Sequence, residues 1–590
     1  MVAEISLQVC EQYFWRSHPL EGRTGTEIFA ALFQPQTAQA GPMGIATLLE
    51  SPYPLPPDSL PAQATPMARY SICAGAPRMV AKSPQVWTPP VGQILPFLQL
   101  LCEQPAPKSV VVTDAVEGTE NTETGIENLS RPDHLPFTGG WLGWLGYDLA
   151  WEIEKLPWLK EDRLPFPVAF WYEPATFAVL DHQQQQLWLA AEHREVLKKV
   201  HRQVVLLTSS ASTSVSKPTL NQIAYATPSE KYPASDGFSS IYIDKKIDSK
   251  NRPADLSTSA ETKTSAETKT ETKTSALVLE SDQTAFEQAV KLAKDHIRAG
   301  DVFQVNHSLR FQAKTTLSSW AIYQRLHRIN PSPFASYWHT PWGAVVSCSP
   351  ERLVHLSEGK AESRPIAGTR PRGQSPEEDR ANAEALLCDR KEQAEHIMLV
   401  DLERNDLGRV CKWGSVEVDE LMTIERYSHV MHLVSNVVGE LDQARWQDQA
   451  RWQEHSHGVS PKDGVSPKDG VSPKDLIAAL FPGGTITGCP KVRCMEIIET
   501  LEPVRRSLFY GSCGYFDRRG RLDLNILIRT LLVAPGTAPG AESESESESE
   551  TNAAIVWGQV GAGIVADSDP HREWLESLQK AKAQLLALGL

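Results

Sequence analysis

A chain of 590 residues with 41% hydrophobic side chains, 16 Trp, 16 Phe and 13 Tyr has ample material for a large buried core, which excludes global disorder. Lys and Arg total 58 against 73 Asp and Glu, a formal charge of −15, so a polyphosphate surface would be repelled and nucleic-acid binding is not expected. No basic region precedes an apolar stretch at the start, and no run approaches the roughly 18 apolar residues that cross a bilayer. A soluble cytoplasmic protein without membrane contact is the simplest reading.

In chain order, 69–75 and 139–147 read as strands with glycines at close approaches. From 209 to 276 the chain is rich in Ser, Thr and Lys and carries near copies of Ser-Ala-Glu-Thr-Lys-Thr, with no apolar period that could bury a face. Ser281 or Asp282 then caps a helix that places Phe286, Val290, Ala293 and Ile297 at helical spacing and ends at Gly300. A strand follows over 302–311. Helices are expected near 376–400 and 570–588, and strands near 343–348, 510–516, 524–532 and 554–565. Two further low-complexity stretches interrupt this part: 442–475, which repeats Gly-Val-Ser-Pro-Lys-Asp, and 535–552, which alternates Glu and Ser. Removing all three as solvated insertions takes about 120 residues from the chain, so the domain count implied by length falls. The chain then divides into an N-terminal region 1–208, an insert 209–276 and a C-terminal domain 277–590, the part that the resemblance given below makes catalytic. Strands and helices come in clusters, which indicates an α+β fold rather than strict alternation. The nine cysteines are scattered, and the closest pair, Cys489 and Cys494, lacks a metal-ligand spacing, so they read as reduced thiols.

Two acidic pairs stand out. Glu392 and Glu395, and Glu573 and Glu576, are each three residues apart, so on helices each pair shares a face. Two such faces suit Mg²⁺, which takes few protein carboxylates; equally, Glu573 and Glu576 would complement the dipole of a helix started by Asp569-Pro570. Gly368-Thr369, Pro482 to Gly488 and Gly561-Ala562-Gly563 are turns whose amides could bind an anionic oxygen, or ordinary turns. Arg529 is a charge inside an apolar strand, and a substrate carboxylate or a structural one would satisfy it. Neither a P-loop nor a GxSxG elbow is present.

Together these segments resemble the chorismate-utilising enzymes, the family of anthranilate synthase component I, aminodeoxychorismate synthase component I, isochorismate synthase and salicylate synthase. The motifs are Ser349-Pro350-Glu351-Arg352, Arg364 to Gly373, Val400-Asp401-Leu402-Glu403-Arg404-Asn405-Asp406, Pro490-Lys491-Val492-Arg493, Ile528-Arg529-Thr530 and Gly561 to Pro570. They run in family order over 277–590. The resemblance implies large antiparallel β-sheets packed together and covered by helices. It implies Mg²⁺ held by Glu395 and Glu576, with Glu392 and Glu573 as further ligands or acting through water. Gly368, Thr369, Gly561, Ala562 and Gly563 would contact substrate carboxylates, Lys491 would bind substrate, and Arg529 would grip the enolpyruvyl carboxylate. Glu351 would be the general acid for the departing C4 hydroxyl, with His432 beside the ring.

Residue types narrow the branch. Isochorismate and salicylate synthases usually carry a lysine, as base for attacking water, where this chain has Gln304. A neutral amide cannot take that proton, whereas ammonia needs less help. Aminodeoxychorismate synthases often place a nucleophilic lysine where this chain has Ala367, which is the anthranilate synthase residue. Gln304-Val305-Asn306, Pro333-Phe334-Ala335 and Gly511-Ser512-Cys513-Gly514-Tyr515 look more like aminodeoxychorismate synthase. That branch is favoured, with anthranilate synthesis, or a catalytically silent chorismate- or tryptophan-binding relative, as alternatives. Leu48-Leu49-Glu50-Ser51 resembles half of the tryptophan feedback site of anthranilate synthases. The other half, at Pro333 and Phe334, departs from Pro-Tyr-Met, so weak or no tryptophan inhibition is expected. No Gly-x-Cys-x-Gly glutaminase motif is present, which implies a separate glutamine amidotransferase partner supplying ammonia.

Overall fold

The computed structural model describes residues 7–34, 43–51, 69–112, 132–211, 277–427, 430–442, 471–536 and 553–590. Most of the three expected insertions lies outside these residues. Their edges are more ordered than the sequence indicated. The helix Pro473–Leu480 recruits the last copy of Gly-Val-Ser-Pro-Lys-Asp: Ser472 caps it, Pro473 takes the first turn and Asp475 closes a capping box, a combination that starts a helix without help from packing. The helix Arg194–Ala211 likewise runs into the first stretch.

Two large sheets carry the fold, and each draws strands from both sides of the first insertion. The thirteen-stranded sheet joins Gln304–Thr315, Ala554–Ile564, Thr530–Pro535, Gly343–Ser349 and Phe334–Thr340 to Ala46–Glu50, Tyr70–Ala74, Thr176–Asp181, Gln186–Ala191 and Gln12–Pro19. The ten-stranded sheet joins Ile366–Pro371, Val430–Glu440, Lys360–Ser363, Arg352–Ser357, Arg521–Asn525 and Ser512–Asp517 to Gly140–Leu145 and Ala169–Tyr172. All described pairings are antiparallel except Gln12–Pro19 with Lys108–Val111, as the expected α+β class requires. The N-terminal region is therefore woven into the same sheets as the catalytic motifs rather than standing beside them.

Alternation along the strands sorts side chains between two cores. On Phe334–Thr340, Trp338 enters the core between the sheets, where its ring meets Trp144 of the smaller sheet edge-on at 5.8 Å. Its neighbour Tyr337 faces the other way, into the core beneath the covering helices. Such fully buried rings each contribute on the order of 2 kcal/mol or more of transfer free energy. The helix Gln283–Ala299 is capped by Asp282, not Ser281, and ends at Gly300 in the left-handed conformation (φ 80°). The helical stretch expected near 376–400 is two helices, Pro376–Cys388 and Arg390–Gly408, with Asp389 ending the first and capping the second. Pro570–Leu588 is helical as expected, and all nine cysteines are free.

One expectation fails in an informative way. The apolar run 524–532 is not one strand. Arg521–Asn525 belongs to the smaller sheet and Thr530–Pro535 to the larger, and the chain crosses between them over 526–529. Gly343–Ser349 and Arg352–Ser357 cross in the same way at Pro350-Glu351. The two crossings are stitched together: the Ile526 amide donates to the Glu351 carbonyl at 3.0 Å and the Ser349 hydroxyl to the Ile526 carbonyl at 2.6 Å.

Candidate active site

Arg529 and Glu351 sit on these paired crossings. Arg529 is not inside a strand but at a break, with φ +52°, a conformation that costs a non-glycine residue about 1 kcal/mol or more. The residue is partly exposed and its guanidinium forms no ion pair or side-chain hydrogen bond among the described residues; burial lowers its pKa, with the Tyr510 phenol opposing. It lines a small cavity with Thr369, His432, Tyr427, Pro333 and Pro350. A guanidinium left without a carboxylate beside such a cavity is poised for an anionic ligand.

The rest of the cavity lining carries no carboxylate. The Thr369 hydroxyl meets His432 Nδ1 at 2.9 Å. Burial, reinforced by the Arg529 charge, pushes the His432 pKa down to about 4, so the imidazole is neutral. Thr369 and His432 come together because Ile366–Pro371 pairs with Val430–Glu440, with a bulge between Ala367 and Thr369 that takes Gly368 out of register. Gly368 has φ +63°, and a Cβ there would stand 2.7 Å from Leu386 Cδ1 and 3.0 Å from Glu392 Oε2, so only glycine fits. Ala367 is buried opposite Leu433 and presents no amine.

Glu351 is buried, 5% exposed. Burial pushes its pKa up to about 8; the Thr485 side chain and the Ile366 backbone oppose the rise, and the Glu403 charge adds to it. The carboxyl is therefore protonated at neutral pH.

Gln304 is buried at the start of its strand, and its amide nitrogen donates to Glu395 Oε1 at 2.8 Å. Its carbonyl oxygen meets no donor among the described residues. Gly563, paired with Asn306, lets this amide pass: a Cβ would stand 2.4 Å from Gln304 Nε2. Gly561 pairs with Ser308 and its carbonyl accepts from Lys580 at 3.1 Å, while Ala562 is fully buried.

Glu392 and Glu573 lie in the first turns of Arg390–Gly408 and Pro570–Leu588, and Glu395 and Glu576 lie one turn further along the same helices. Glu392 is raised above the usual carboxylate range by burial and by Glu395, with Arg370 opposing. Glu573 is raised by burial and by Glu576, with Ser568, Lys391 and Lys580 opposing. Chemically the donor set is of the kind Mg²⁺ takes, carboxylates only, with Glu573 buried, Glu392 and Glu395 partly buried and Glu576 exposed. In the conformation described, Glu395 is bonded to Gln304 and Glu576 to Lys580 (2.9 Å), and no three metal-ligating side chains converge among the described residues.

Lys491 does not face the cavity. Its ammonium bonds to Asp406 at 2.5 Å and to the Leu480 carbonyl at 2.9 Å, so it ties two motifs together. Ser51 and Pro333 do meet, the Ser51 hydroxyl donating to the Pro333 carbonyl at 2.8 Å. With Phe334, Arg352, Tyr515 and Asp523 they line a separate cavity of about 330 Å³. Sequence reasoning did not single out Tyr427, Tyr510 or Glu403, because nothing in their local spacing distinguishes them from ordinary aromatic and acidic residues.

An arginine that forms no ion pair among the described residues beside a small cavity, and a buried glutamic acid on the adjoining crossing, are features that suit an anionic ligand and proton transfer. Residues 103–447 and 463–586 match the chorismate binding enzyme family, and the chain belongs to that family. It is 49% identical, over all of its own length and 94% of the relative's, to an anthranilate synthase component I-like protein of Synechocystis sp.. It is 39% identical to the aminodeoxychorismate synthase component 1 of Bacillus subtilis, over 80% of each chain. The fold is similar to that of anthranilate synthase component I from Streptococcus pneumoniae, with a TM-score of 0.57, 26% identity, and coverage of 91% of this chain and 95% of that one.

Among the described residues no helix is long and apolar enough to cross a membrane.

Proposed function

We propose that the chain aminates chorismate with ammonia from a separate glutamine amidotransferase subunit, giving 4-amino-4-deoxychorismate. The observation that carries the choice of nucleophile is Gln304. Its amide donates to Glu395 and its buried carbonyl oxygen meets no donor among the described residues, so it offers an acceptor to an ammonia N–H and no base to a water. Arg529 would take the enolpyruvyl carboxylate, and the Gly368-Thr369 and Gly561 to Gly563 segments the remaining carboxylate oxygens. Glu395 and Glu576, flanked by Glu392 and Glu573, would hold Mg²⁺, which supplies positive charge to the ring carboxylate.

Glu351, holding its proton at neutral pH, delivers it to the C4 hydroxyl as the C4–O bond breaks, so that the leaving group departs as water. Ammonia adds at C2 as the ring double bond shifts; a second ammonia adds at C4 as the first leaves C2 as ammonia, and the new C4 amine returns one proton to Glu351, so chorismate and ammonia give 4-amino-4-deoxychorismate and water. Anthranilate formation instead needs a base to remove the C2 proton as pyruvate leaves. His432, with a pKa near 4, is a weak one, and the likeness to the Bacillus subtilis protein supports the same branch.

A second reading is favoured by Ala367, which brings no amine to the ring, and by the printed names of the Synechocystis and Streptococcus pneumoniae relatives: the chain then makes anthranilate and pyruvate. Incubation with chorismate, Mg²⁺ and ammonium, with and without the lyase that acts on 4-amino-4-deoxychorismate, separates the two. 4-Aminobenzoate formed only with the lyase supports the proposal. Anthranilate formed without it establishes the second reading. Turnover under neither condition indicates a silent binding relative. Glu576→Gln should weaken Mg²⁺ binding, measured by calorimetry, and abolish turnover with the fold intact; unchanged Mg²⁺ affinity would remove Glu576 from the ligand set.

A further inference from the structure

The lining of the cavity at Arg529 carries no carboxylate, yet an acid stands next to it in the sheet. Thr369, His432 and Glu425 are register partners on the neighbouring strands Ile366–Pro371, Val430–Glu440 and Glu417–Arg426, so their side chains rise side by side from one face, about 5 Å apart at Cβ. Thr369 and His432 line the cavity and bond to each other at 2.9 Å. Glu425 makes no hydrogen bond or ion pair with His432 or Arg529 among the described residues, because both its oxygens are taken elsewhere. The Tyr427 phenol donates to Oε2 at 2.5 Å and the Arg364 guanidinium holds Oε1. Both partners are themselves fixed. Arg364 also bonds to Glu420 at 3.0 Å. The Tyr427 amide donates to the Val430 carbonyl at 2.8 Å, and its own carbonyl accepts from Arg372 at 2.7 Å. The Tyr427 ring lies against the His432 ring, centroids 5.6 Å apart, and forms part of the cavity wall. One side chain is thus wall and latch at once.

We propose that Tyr427 and Arg364 are positioning residues that withhold the Glu425 carboxylate from the anion cavity, so that Arg529 stays open to the carboxylate of a ligand. This rests on the reading of Arg529 as the grip for chorismate and holds for either product. A released carboxylate one strand away needs only a turn of its side chain to reach His432. There it would compete with the ligand for positive charge and favour a protonated imidazole. Burial and Arg529 disfavour that protonation, while the Gly368 backbone and Glu425 favour it, so the neutral state of His432 depends on where Glu425 is held. Burial, with Glu425 adding and Arg364 and Arg352 opposing, raises the Tyr427 phenol well above its ordinary pKa, which keeps it a hydrogen-bond donor.

The test is chorismate binding to the full chain without ammonia, measured by calorimetry, for the wild type, Tyr427→Phe and Tyr427→Phe combined with Glu425→Gln. Tyr427→Phe keeps the ring in the wall and releases Glu425, so Kd should rise roughly tenfold. Adding Glu425→Gln should bring it back to within about twofold of the wild type; a lost contact with the ligand or a loosened strand pair would not be rescued in this way. An unchanged Kd in Tyr427→Phe, or a rise that persists in the double variant, overturns the inference. Arg364→Met releases the other oxygen, should act in the same direction with the same rescue, and replaces Tyr427→Phe if that variant does not fold. A second readout needs no chorismate: NMR of the His432 imidazole in histidine-labelled protein, its signal identified through His432→Gln. His432 should titrate about one pH unit or more higher in Tyr427→Phe than in the wild type, and not in the double variant. Such a reversible shift supports the clamp even if chorismate is not the ligand, and an unmoved His432 removes it even if chorismate is.

Discussion

Replacing Glu351 by glutamine removes the proton donor and also a titration, and the second effect can be sized. An unfolded glutamate loses its proton near 4.5, and in the folded chain burial raises this to about 8. Between those values the folded state holds one proton more than the unfolded one, so this group's contribution to stability is complete below about pH 4.5. It is lost progressively as pH rises toward 8. At about 1.4 kcal/mol per pH unit, integration gives roughly 3.5 kcal/mol lost between about pH 5 and pH 8. Glutamine keeps the shape and does not titrate, so Glu351→Gln should gain on the wild type by about that amount across the same range, while losing turnover. Urea denaturation of both proteins at the two pH values measures the difference directly, and groups common to both cancel. Stability curves that run parallel within about 0.5 kcal/mol would show that Glu351 is ionised at neutral pH and refute its role as the acid.

Arg529→Lys retains charge but not the planar fork; kcat/KM for chorismate should fall roughly tenfold to a hundredfold, measured with ammonium as nitrogen donor. Gly368→Ala meets both a positive φ and the Leu386 methyl at 2.7 Å, and should cost about 1–3 kcal/mol in urea denaturation; an unaffected midpoint would mean that the bulge is relaxed. Tryptophan in the cavity at Ser51 and Phe334 should inhibit weakly or not at all, and half-inhibition at micromolar concentration would count against both this and the choice of branch.

Much of the architecture could be read from local signals. The helix Gln283–Ala299 has its cap, apolar face and terminal glycine within one short window, and Pro570–Leu588 announces itself through Asp569-Pro570. The break at Arg529 could not be read in this way. Ile526, Leu527, Ile528 and Leu531 continue an apolar pattern across a crossing between sheets, and periodicity cannot distinguish a strand that continues from one that changes partner. At the site, the i, i+3 acid pairs were visible because helical geometry alone puts them on one face. The Gln304–Glu395 contact was not, since it joins elements 91 residues apart. The pairing of Lys491 with Asp406 was not legible because the two lie on different helices, nor was the burial of Glu403, because an acid on a helix is usually a solvated one.

The stitched pair of crossings has a mechanical consequence. Sheets in a layered protein slide and twist slightly against each other, and groups mounted on opposite sheets would drift apart as they do so. Glu351 and Arg529 each belong to a segment anchored in both layers, and those segments are bonded to one another through Ser349, Glu351 and Ile526. Two rivets on one seam would act in this way: deformation of either layer would carry both segments along and conserve the distance between Glu351 and Arg529.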